Sequence, residues 1–279
     1  MQSSNQGFSI RKHRQFQKAV WTHYRDYKRS DLPWRQTTDP YRIVVSELML
    51  QQTQVARVVP KYQAFLKRFP TTKQLAAAPL ADVLRYWQGL GYNRRAKYLH
   101  QSAGVVSSQY RGRWPKTRVE LEELPGVGPY TAAAVAAFAY NQPEICLETN
   151  IRTALIHHYF RAETAVSEAV LRTLVAETLD ADNPREWYWA LMDYGAHIKK
   201  THGNKSRQAR SYNKQSRFTG SDREIRGAII RMLTLLPTAH IKALQALGFP
   251  EKRLIAQCQN LCQEGLIEQT RQDHYRLAE

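Results

Sequence analysis

The chain has 279 residues, 43% of them hydrophobic and 23% charged, which is ordinary for a globular protein with a sizeable core. Its longest apolar runs, such as Ala132–Ala139, are well short of the ~20 residues that a membrane span needs, and its first residues lack the apolar core of a signal peptide, so a cytoplasmic protein is expected. Lysine and arginine outnumber aspartate and glutamate by 41 to 24, and this net charge of +17 favours a polyanion such as nucleic acid, with an anionic membrane or no such ligand as alternatives.

Residues 8–200 are predicted to form a succession of helices. The first, Arg11–Lys28, carries apolar side chains at helical spacing, and Tyr41–Phe69 continues the pattern with an expected break at Pro60. No run of alternating strand-type residues stands out, so this body is predicted to be all-α. Further helices are predicted at Asn93–Tyr110, Gly128–Tyr140, Thr149–Phe160, Ser167–Leu179 and Pro184–Lys200.

A glycine-containing run, Leu124-Pro-Gly-Val-Gly-Pro-Tyr-Thr-Ala132, separates two predicted helices. Gly126 and Gly128 permit backbone angles that other residues resist, and Pro129 suits the first turn of a helix. Free amides at such a helix start bind anions, and a DNA phosphate fits there without any reading of sequence. The run therefore predicts a phosphate-binding hairpin formed by Gly126, Val127, Gly128 and Thr131, the alternative being an ordinary tight turn.

The last third of the chain changes character after residue 200. Lys199–Asp222 is basic and poor in aliphatic residues, which predicts a linker or partly ordered loop. Three helices and two short strands are predicted after it, at Asp222–Leu235, Thr238–Leu247, Glu251–Glu264, Leu266–Glu268 and Tyr275–Leu277. Three helices followed by a hairpin resemble a winged helix. We therefore expect a winged-helix-like domain at residues 222–279, joined by a basic linker at 201–221 to a helical domain at 1–200. Whether this domain contacts DNA or packs on a neighbour stays open.

Three cysteines, Cys146, Cys258 and Cys262, are too few and too scattered for a disulfide framework. Two thiolates four residues apart, without further cysteine or histidine nearby, do not make a closed metal site. We expect all three to be small buried hydrophobic side chains.

The hairpin run resembles the helix-hairpin-helix of the endonuclease III and MutY-type DNA glycosylases. Other segments are similar to the adenine glycosylase branch of this superfamily: Leu32-Pro-Trp-Arg35, Pro40-Tyr41, Ser46-Glu-Leu-Met-Leu-Gln-Gln-Thr-Gln-Val55, Phe69-Pro-Thr71, Trp87-Gln-Gly-Leu-Gly-Tyr92, Arg94-Arg-Ala96 and Leu191-Met-Asp-Tyr-Gly-Ala196. The resemblance covers about residues 20–200. It implies two α-helical lobes and an enzyme that removes a flipped base from double-stranded DNA.

The chemistry needs an acid near the base and a carboxylate near the sugar, because the bond between them breaks to leave a sugar cation. The resemblance gives the acid to Glu47, whose apolar neighbours should desolvate it and raise its pKa; a solvated glutamate on an outer face is the alternative. It gives the carboxylate to Glu148, supported by Asn150. The family has aspartate where Glu148 stands, which leaves open an adjusted pocket, slow activity or none. A helix-start glutamate favoured by the helix dipole is the alternative for Glu148.

Other positions carry over from the resemblance as catalytic, DNA-contacting or base-binding residues. Tyr130 stands where bifunctional relatives have a lysine that forms a Schiff base with the sugar, so the chain is expected to be monofunctional; a core tyrosine is the alternative. Gln51, Gln52 and Tyr92 match residues that wedge into the DNA stack. The wall of the base pocket is expected from Leu32, Trp34, Arg35 and Trp189, although core packing suits Trp34 nearly as well.

Two departures limit the resemblance. The family's four iron–sulfur cysteines correspond to Lys199, Ser206, Ala209 and Gln215, none of which offers a thiolate, so we expect a colourless protein without that cluster. No other cofactor is expected, apart from a monovalent cation at the hairpin. Trp189 replaces a glutamine or glutamate that reads adenine, and an indole offers only one donor.

The leading interpretation is a monofunctional glycosylase that removes adenine opposite guanine or 8-oxoguanine. One alternative is a glycosylase of the same fold that removes thymine or another mismatched or damaged base. Another is a non-catalytic protein that binds DNA lesions, and a transcription factor is a weaker third. The expected partner is double-stranded DNA with a mismatch or damaged base, and no membrane partner is expected. We expect a monomer at the nucleoid of a bacterial-type cytoplasm.

Overall fold

The computed structural model describes residues 8–160, 163 and 165–279. The N-terminal residues that lack a signal core in the sequence lie outside this range. The chain divides into two compact units. The first comprises the chain up to Thr38 together with Pro129–Lys214, and the second comprises Asp39–Gly128 together with Gln215–Glu279. Among the described residues, no helix combines the length and the apolar character that a membrane span requires.

The first unit is built around an aromatic core. Its helices are α1 (Ile10–Tyr27), α8 (Pro129–Tyr140), α9 (Thr149–Tyr159), α10 (Glu168–Thr178) and α11 (Pro184–His202), with short 3-10 turns at Pro33–Arg35 and Lys205–Gln208. Helix α11 packs along both α1 and α9. Between them, the ring of Phe16 meets those of Trp187 and Tyr159 edge-on, with centroids 6.2 Å and 5.5 Å apart. These contacts fix the positions of α9 and α11.

The second unit contains the helices α2 (Pro40–Leu50), α3 (Val55–Arg68), α4 (Thr72–Ala76), α5 (Leu80–Trp87), α6 (Arg94–Gln109) and α7 (Arg118–Glu122). Helix α2 starts where the Asp39 side chain accepts a hydrogen bond of 2.9 Å from the amide of Tyr41. The predicted break at Pro60 is wrong, because Pro60 lies inside α3. The chain breaks instead at the polar run Gln51–Gln54, which ends α2.

The second unit also contains the C-terminal elements α12 (Asp222–Leu235), β1 (Ala239–His240), α13 (Ile241–Gln245), α14 (Glu251–Gln263), β2 (Ile267–Arg271) and β3 (His274–Leu277). The strands are antiparallel in the order β1-β3-β2. We call residues 222–279 the winged unit. The mostly helical fold with a small winged-helix-like part is confirmed, but the predicted helix Thr238–Leu247 is too long.

Strand β1 occupies the start of that predicted helix, and a two-residue strand is too short to show an alternating pattern. The His240 side chain then caps α13 by accepting a hydrogen bond from the amide of Lys242 at 3.0 Å.

Two of the three cysteines, Cys146 and Cys258, are buried as expected, whereas Cys262 is partly exposed.

Candidate active site

Glu47 lies in the second unit, on helix α2, most of whose side chains are buried. Its exposed fraction is 8%, and those of its neighbours Ser46 and Leu48 are 1%. Helix α2 therefore has no solvent-facing side at this point, and the outer-face alternative is wrong. The Glu47 carboxyl group is therefore largely removed from solvent.

Glu148 lies in the first unit and caps the N-terminus of α9. Its Oε1 accepts hydrogen bonds from the amides of Asn150 at 2.7 Å and Ile151 at 2.9 Å. Burial raises the pKa of the Glu148 carboxyl, and those two amides with the charges of Arg152 and Lys199 offset only part of this effect. Glu148 thus stands at a helix start, as the alternative considered in the sequence analysis expected. The two hydrogen bonds to the amides fix the direction in which its carboxyl group points.

Asn150 is held by the close approach of α11 to the first turn of α9. A Cβ atom at Gly195 would overlap the backbone carbonyl of Asn150. Gly195 is therefore required for this approach. The Tyr-Gly-Ala part of the motif at residues 194–196 thus has a packing role that positions the turn carrying Glu148 and Asn150.

The hairpin loop ends the second unit, and the first unit resumes with α8 at Pro129. Gly126 has a φ of +74°, and a Cβ there would overlap the side chain of Tyr98. Gly128 has neither a positive φ nor a close neighbour, so the bend requires one glycine and not two. Tyr130 and the buried Thr131 follow in the first turn of α8. Phosphate binding by this loop, including Val127, stays a prediction.

The structure brings together the three residues predicted to enter the DNA stack, Gln51, Gln52 and Tyr92, which we call the wedge residues. They line one pocket of the second unit. Gln52 and Tyr92 have φ values of 54° and 48°, a left-handed backbone that costs energy in residues with a side chain. Gln215 donates to Gln52 Oε1 at 3.1 Å and to the Tyr92 hydroxyl, which also accepts from Arg223 Nη1 at 2.9 Å.

Arg95 holds the two loops that carry the wedge residues, residues 51–54 and 88–93, which we call the wedge loops. The sequence did not reveal this role. Its exposed fraction is 7%, and it donates to the carbonyls of Leu48 at 2.6 Å, Gln51 at 2.6 Å and Gly91 at 2.9 Å. Burial lowers the pKa of the Arg95 guanidinium to about 10, which leaves it charged at neutral pH. The only signal in the sequence was its place in the Arg-Arg-Ala segment at residues 94–96.

Two of the predicted base-pocket residues, Arg35 and Trp189, line an open pocket of about 520 Å³ in the first unit. The Arg35 guanidinium lies 5.6 Å from the centre of the Trp189 ring. That ring stacks on Phe138 with centroids 6.2 Å apart and planes 26° from parallel. The pocket therefore combines the aromatic surface of Trp189 with side chains that can form hydrogen bonds, among them Asn141, Asn183 and Glu186.

The other two predicted base-pocket residues do not line this pocket. Leu32 and Trp34 are 7% and 8% exposed and flank the start of the 3-10 turn that carries Arg35. Their burial agrees with the core-packing alternative that the sequence left open for Trp34. Their contact with a base stays a prediction.

The residues at the iron–sulfur positions do not fit that cluster. Lys199 is exposed on α11, Ser206 is buried in a 3-10 turn, Ala209 forms a bridge with Val166, and Gln215 bonds to the wedge residues. None of them can supply a thiolate. Within the described residues, no group of three or more histidine, cysteine, aspartate or glutamate side chains could hold a metal ion.

Comparison with known proteins adds a family and close relatives. Residues 45–177 match the model of the HhH-GPD superfamily base excision DNA repair proteins. The chain is 36% identical over 273 residues to the adenine DNA glycosylase of Mycolicibacterium smegmatis, which covers 91% of this chain and 93% of that protein. It is also 36% identical over 188 residues to the human adenine DNA glycosylase, covering 62% of this chain and 34% of that protein.

Solved structures show the same fold. A thermostable thymine-DNA glycosylase superposes with a TM-score of 0.59 at 27% identity, over 67% of this chain and 87% of that one. A non-covalent complex of endonuclease III with DNA gives a TM-score of 0.57 at 17% identity, over 67% of this chain and 85% of that one. The second likeness concerns the fold alone.

Proposed function

Because the chain belongs to the HhH-GPD superfamily of base excision DNA repair proteins, we propose that it hydrolyses the bond between adenine and deoxyribose where adenine faces guanine or 8-oxoguanine. The chain is a DNA glycosylase that acts in base excision repair. The observation that carries the choice of adenine is its 36% identity, over 91% of its length, to an adenine DNA glycosylase.

In the proposed reaction, Glu47 and Glu148 act on a base that has been flipped out of the duplex. The neutral carboxyl of Glu47 gives its proton to the base while the bond from the base nitrogen to C1′ breaks, and the bonding electrons leave with the base. Ionised Glu148 stabilises the positive charge on the sugar. Water then forms the new bond to C1′ through its oxygen, and its proton restores the acid form of Glu47. The burial of Glu47 supports the first of these roles.

We propose that the enzyme does not cleave the DNA strand. Tyr130, in the first turn of α8, carries a phenol where strand cleavage would need an amine to form a Schiff base with the sugar. Borohydride reduction should trap no covalent complex of the wild-type protein with DNA. Tyr130→Lys is the positive control, since it supplies the missing amine.

We also propose that the protein works without an iron–sulfur cluster, since Lys199, Ser206, Ala209 and Gln215 supply no thiolate. A monovalent cation at the hairpin remains the one ion proposed. Protein purified without oxygen should contain no iron by elemental analysis and show no visible absorption. Bound iron in proportion to protein would contradict this.

The proposed partner is double-stranded DNA with a mismatch or a damaged base, bound by a monomer at the nucleoid of a bacterial cytoplasm. The net charge of +17 supports a polyanionic partner, because lysine and arginine that neutralise phosphates release counterions. A salt titration of binding to a mismatched duplex, with sedimentation of the free protein, tests both the ionic contribution and the monomer.

Removal of thymine is the second candidate, and Trp189 favours it. This side chain stands where the adenine-specific relatives of the family place a glutamine or glutamate, and its ring stacks on Phe138 instead of offering an amide or carboxylate. The fold is also shared with a thymine-DNA glycosylase at 27% identity.

A panel of duplexes decides between the two bases. Each duplex carries one mismatch, and alkali cleaves the strand wherever a base has been released. Release of adenine opposite guanine and 8-oxoguanine supports the proposal, whereas release of thymine opposite guanine alone supports the second candidate. Glu47→Gln should abolish release and keep DNA binding, while Glu251→Gln, at an exposed position of α14, is the matched control and should change neither.

A further inference from the structure

A segment without helix or strand, residues 141–148, joins α8 to α9 and ends on Glu148. We call it the α8–α9 segment. Its last part is buried, because Cys146 is 0% and Leu147 is 5% exposed. Buried backbone outside helices and strands needs hydrogen-bond partners from other parts of the chain. The placement of Glu148 therefore depends on the groups that hold this segment.

Tyr188 of α11 supplies such a partner from within the core of the first unit. Its side chain is fully buried, and its hydroxyl donates to the carbonyl of Glu144 at 2.5 Å and accepts from the amide of Cys146 at 3.2 Å. Burial raises the pKa of the Tyr188 phenol, so the hydroxyl keeps its proton and donates throughout the neutral range. One hydroxyl thus holds two backbone positions shortly before Glu148.

Arg185 lies one turn before Tyr188 on α11 and holds the start of the same segment. Its guanidinium donates to the carbonyls of Phe138 at 2.5 Å and Ala139 at 3.0 Å, and its amide donates to Asn141 Oδ1 at 3.2 Å. These contacts fix the end of α8, so the segment begins at a defined point. Helix α11 therefore holds the segment at its start through Arg185 and near its end through Tyr188.

Glu148 is anchored on both sides of its own backbone. On the side of α9, its Oε1 accepts from the amides of Asn150 and Ile151, and its carbonyl accepts from the amide of Arg152 at 2.8 Å. On the other side, its backbone continues into the segment that Tyr188 holds. A shift of that segment turns Glu148 about its bonds to α9 and displaces the carboxyl group, whereas a catalytic group needs placement to within roughly 0.5 Å.

We propose that Tyr188 is a positioning residue for base release: its hydroxyl holds the α8–α9 segment so that the Glu148 carboxylate lies where the proposed reaction needs it. The inference rests on the proposed function, because that function gives Glu148 its role at the sugar. Tyr188 acts through the segment and not on the substrate, since its side chain is fully buried.

Tyr188→Phe removes the hydroxyl and keeps the ring that fills the core. Tyr159→Phe is the matched control, because the Tyr159 side chain is also buried and its hydroxyl bonds to His13 Nδ1 at 3.0 Å, at the opposite end of α9 from Glu148. Each change removes one buried hydroxyl from the first unit. Thermal unfolding of both variants verifies that each keeps the fold.

Two measurements separate release from binding. Single-turnover release of adenine opposite 8-oxoguanine gives the rate, and fluorescence anisotropy with a duplex whose adenine nucleotide carries a release-blocking 2′-fluoro group gives the dissociation constant. Tyr188→Phe should lower the rate by about tenfold to a hundredfold, as expected when a distant change displaces a catalytic group, and should leave the dissociation constant unchanged. Tyr159→Phe should change neither. Partial unfolding would lower the fraction of protein that reacts and not the rate constant of the folded remainder.

Combining Tyr188→Phe with Glu148→Gln separates positioning from a general effect on structure. If Tyr188 acts through the Glu148 carboxylate, the double variant should release adenine at the rate of Glu148→Gln alone, because no charge is left to misplace. An equal fold-loss on both backgrounds would show that Tyr188 acts elsewhere and would overturn the inference. Release at the wild-type rate by Tyr188→Phe would overturn it as well.

Hydrogen exchange tests the contact without any reaction. In the free protein, the amides of residues 144–148 should exchange faster in Tyr188→Phe than in the wild type or in Tyr159→Phe. If the wild type releases no adenine, the proposed function fails, but the exchange measurement still decides whether Tyr188 holds the segment. Unchanged exchange of the Cys146 amide in Tyr188→Phe would overturn the inference in either case.

Discussion

Arg35 binds the carboxylate of Asp193 with both ends of its guanidinium, Nη1 to Oδ2 at 2.7 Å and Nη2 to Oδ1 at 2.8 Å. The two side chains are only 4% and 2% exposed. Arg29 adds hydrogen bonds to the same carboxylate from its side chain at 2.6 Å and from its amide at 3.1 Å. A buried ion pair therefore fastens the turn that carries Arg35 to α11, which carries Trp189.

Asp193→Asn should destabilise the protein strongly, because it leaves a buried guanidinium without its counter-charge. Loss of one partner of a buried pair costs about 3–5 kcal/mol, which corresponds to a fall in Tm on the order of 10 °C. Thermal unfolding followed by circular dichroism measures this. Asp26→Asn is the control, since the Asp26 pair with Arg25 is 3.4 Å long and exposed, and its loss should hardly move Tm.

The same pair predicts how stability depends on pH. Burial alone would raise the pKa of the Asp193 carboxyl, but the hydrogen bonds and charges of Arg35 and Arg29 outweigh it, and the pKa lies below its usual 3.8. The contribution of this carboxylate is thus complete above that value and is lost as the pH falls below it. The unfolding free energy of the wild type minus that of Asp193→Asn should stay constant from about pH 7 to pH 5 and shrink below about pH 4. A difference that shrinks already near neutral pH would contradict this.

Local patterns were sufficient to predict several of these features. The apolar neighbours of Glu47 indicated a buried carboxyl, and the glycine of the hairpin at Gly126 is required as expected. Helical periodicity reports which side of a segment is buried, and glycine reports where the backbone needs unusual angles. Both signals depend on a few neighbouring residues, so they can be recognised in the sequence alone.

Contacts between distant parts of the chain could not be predicted in this way. Arg35 and Asp193 are 158 residues apart, and Gln215 is 163 residues from Gln52, so no local pattern links them. Arg95 looks like any other arginine of an amphipathic helix until the carbonyls of two loops converge on it. Strand β1 exists only because β3 pairs with it.

Gly195→Ala should destabilise the first unit. The added methyl group would overlap the backbone carbonyl of Asn150, and backbone cannot move aside as a flexible side chain can. We expect a loss of about 1–3 kcal/mol or more in urea unfolding, together with lower activity, because the displaced turn carries Glu148. Gly104→Ala adds the same group in open space and should be neutral or stabilising. Equal stability of the two variants would show that α11 does not approach α9 this closely.

Glu148→Gln should separate activity from stability. Because burial raises the pKa of this carboxyl, its ionisation is harder in the folded chain, and its charge costs stability at any pH above its usual 4.5. The glutamine still offers an oxygen to the amides of Asn150 and Ile151. We therefore expect equal or higher Tm at pH 7, with a loss of release of about 10²–10³-fold. In the wild type, kcat/KM should fall on the acid side at a pH above 4.5. A variant that is both less stable and fully active would contradict the proposed role.

Arg95→Lys tests whether a guanidinium fork, and not a positive charge alone, holds the wedge loops. Lysine keeps the charge but places three donors on one atom, so it cannot reach the carbonyls of both Leu48 and Gly91 as Arg95 does. Buried carbonyls left without donors cost about 1–3 kcal/mol each, so Tm should fall by several degrees and binding to mismatched DNA should weaken as the loops loosen. Arg85→Lys is the control, because Arg85 is about half exposed and pairs with Asp82 across 3.2 Å. If the two lysine variants unfold at the same temperature and bind DNA equally well, the wedge loops hold their left-handed backbone without Arg95.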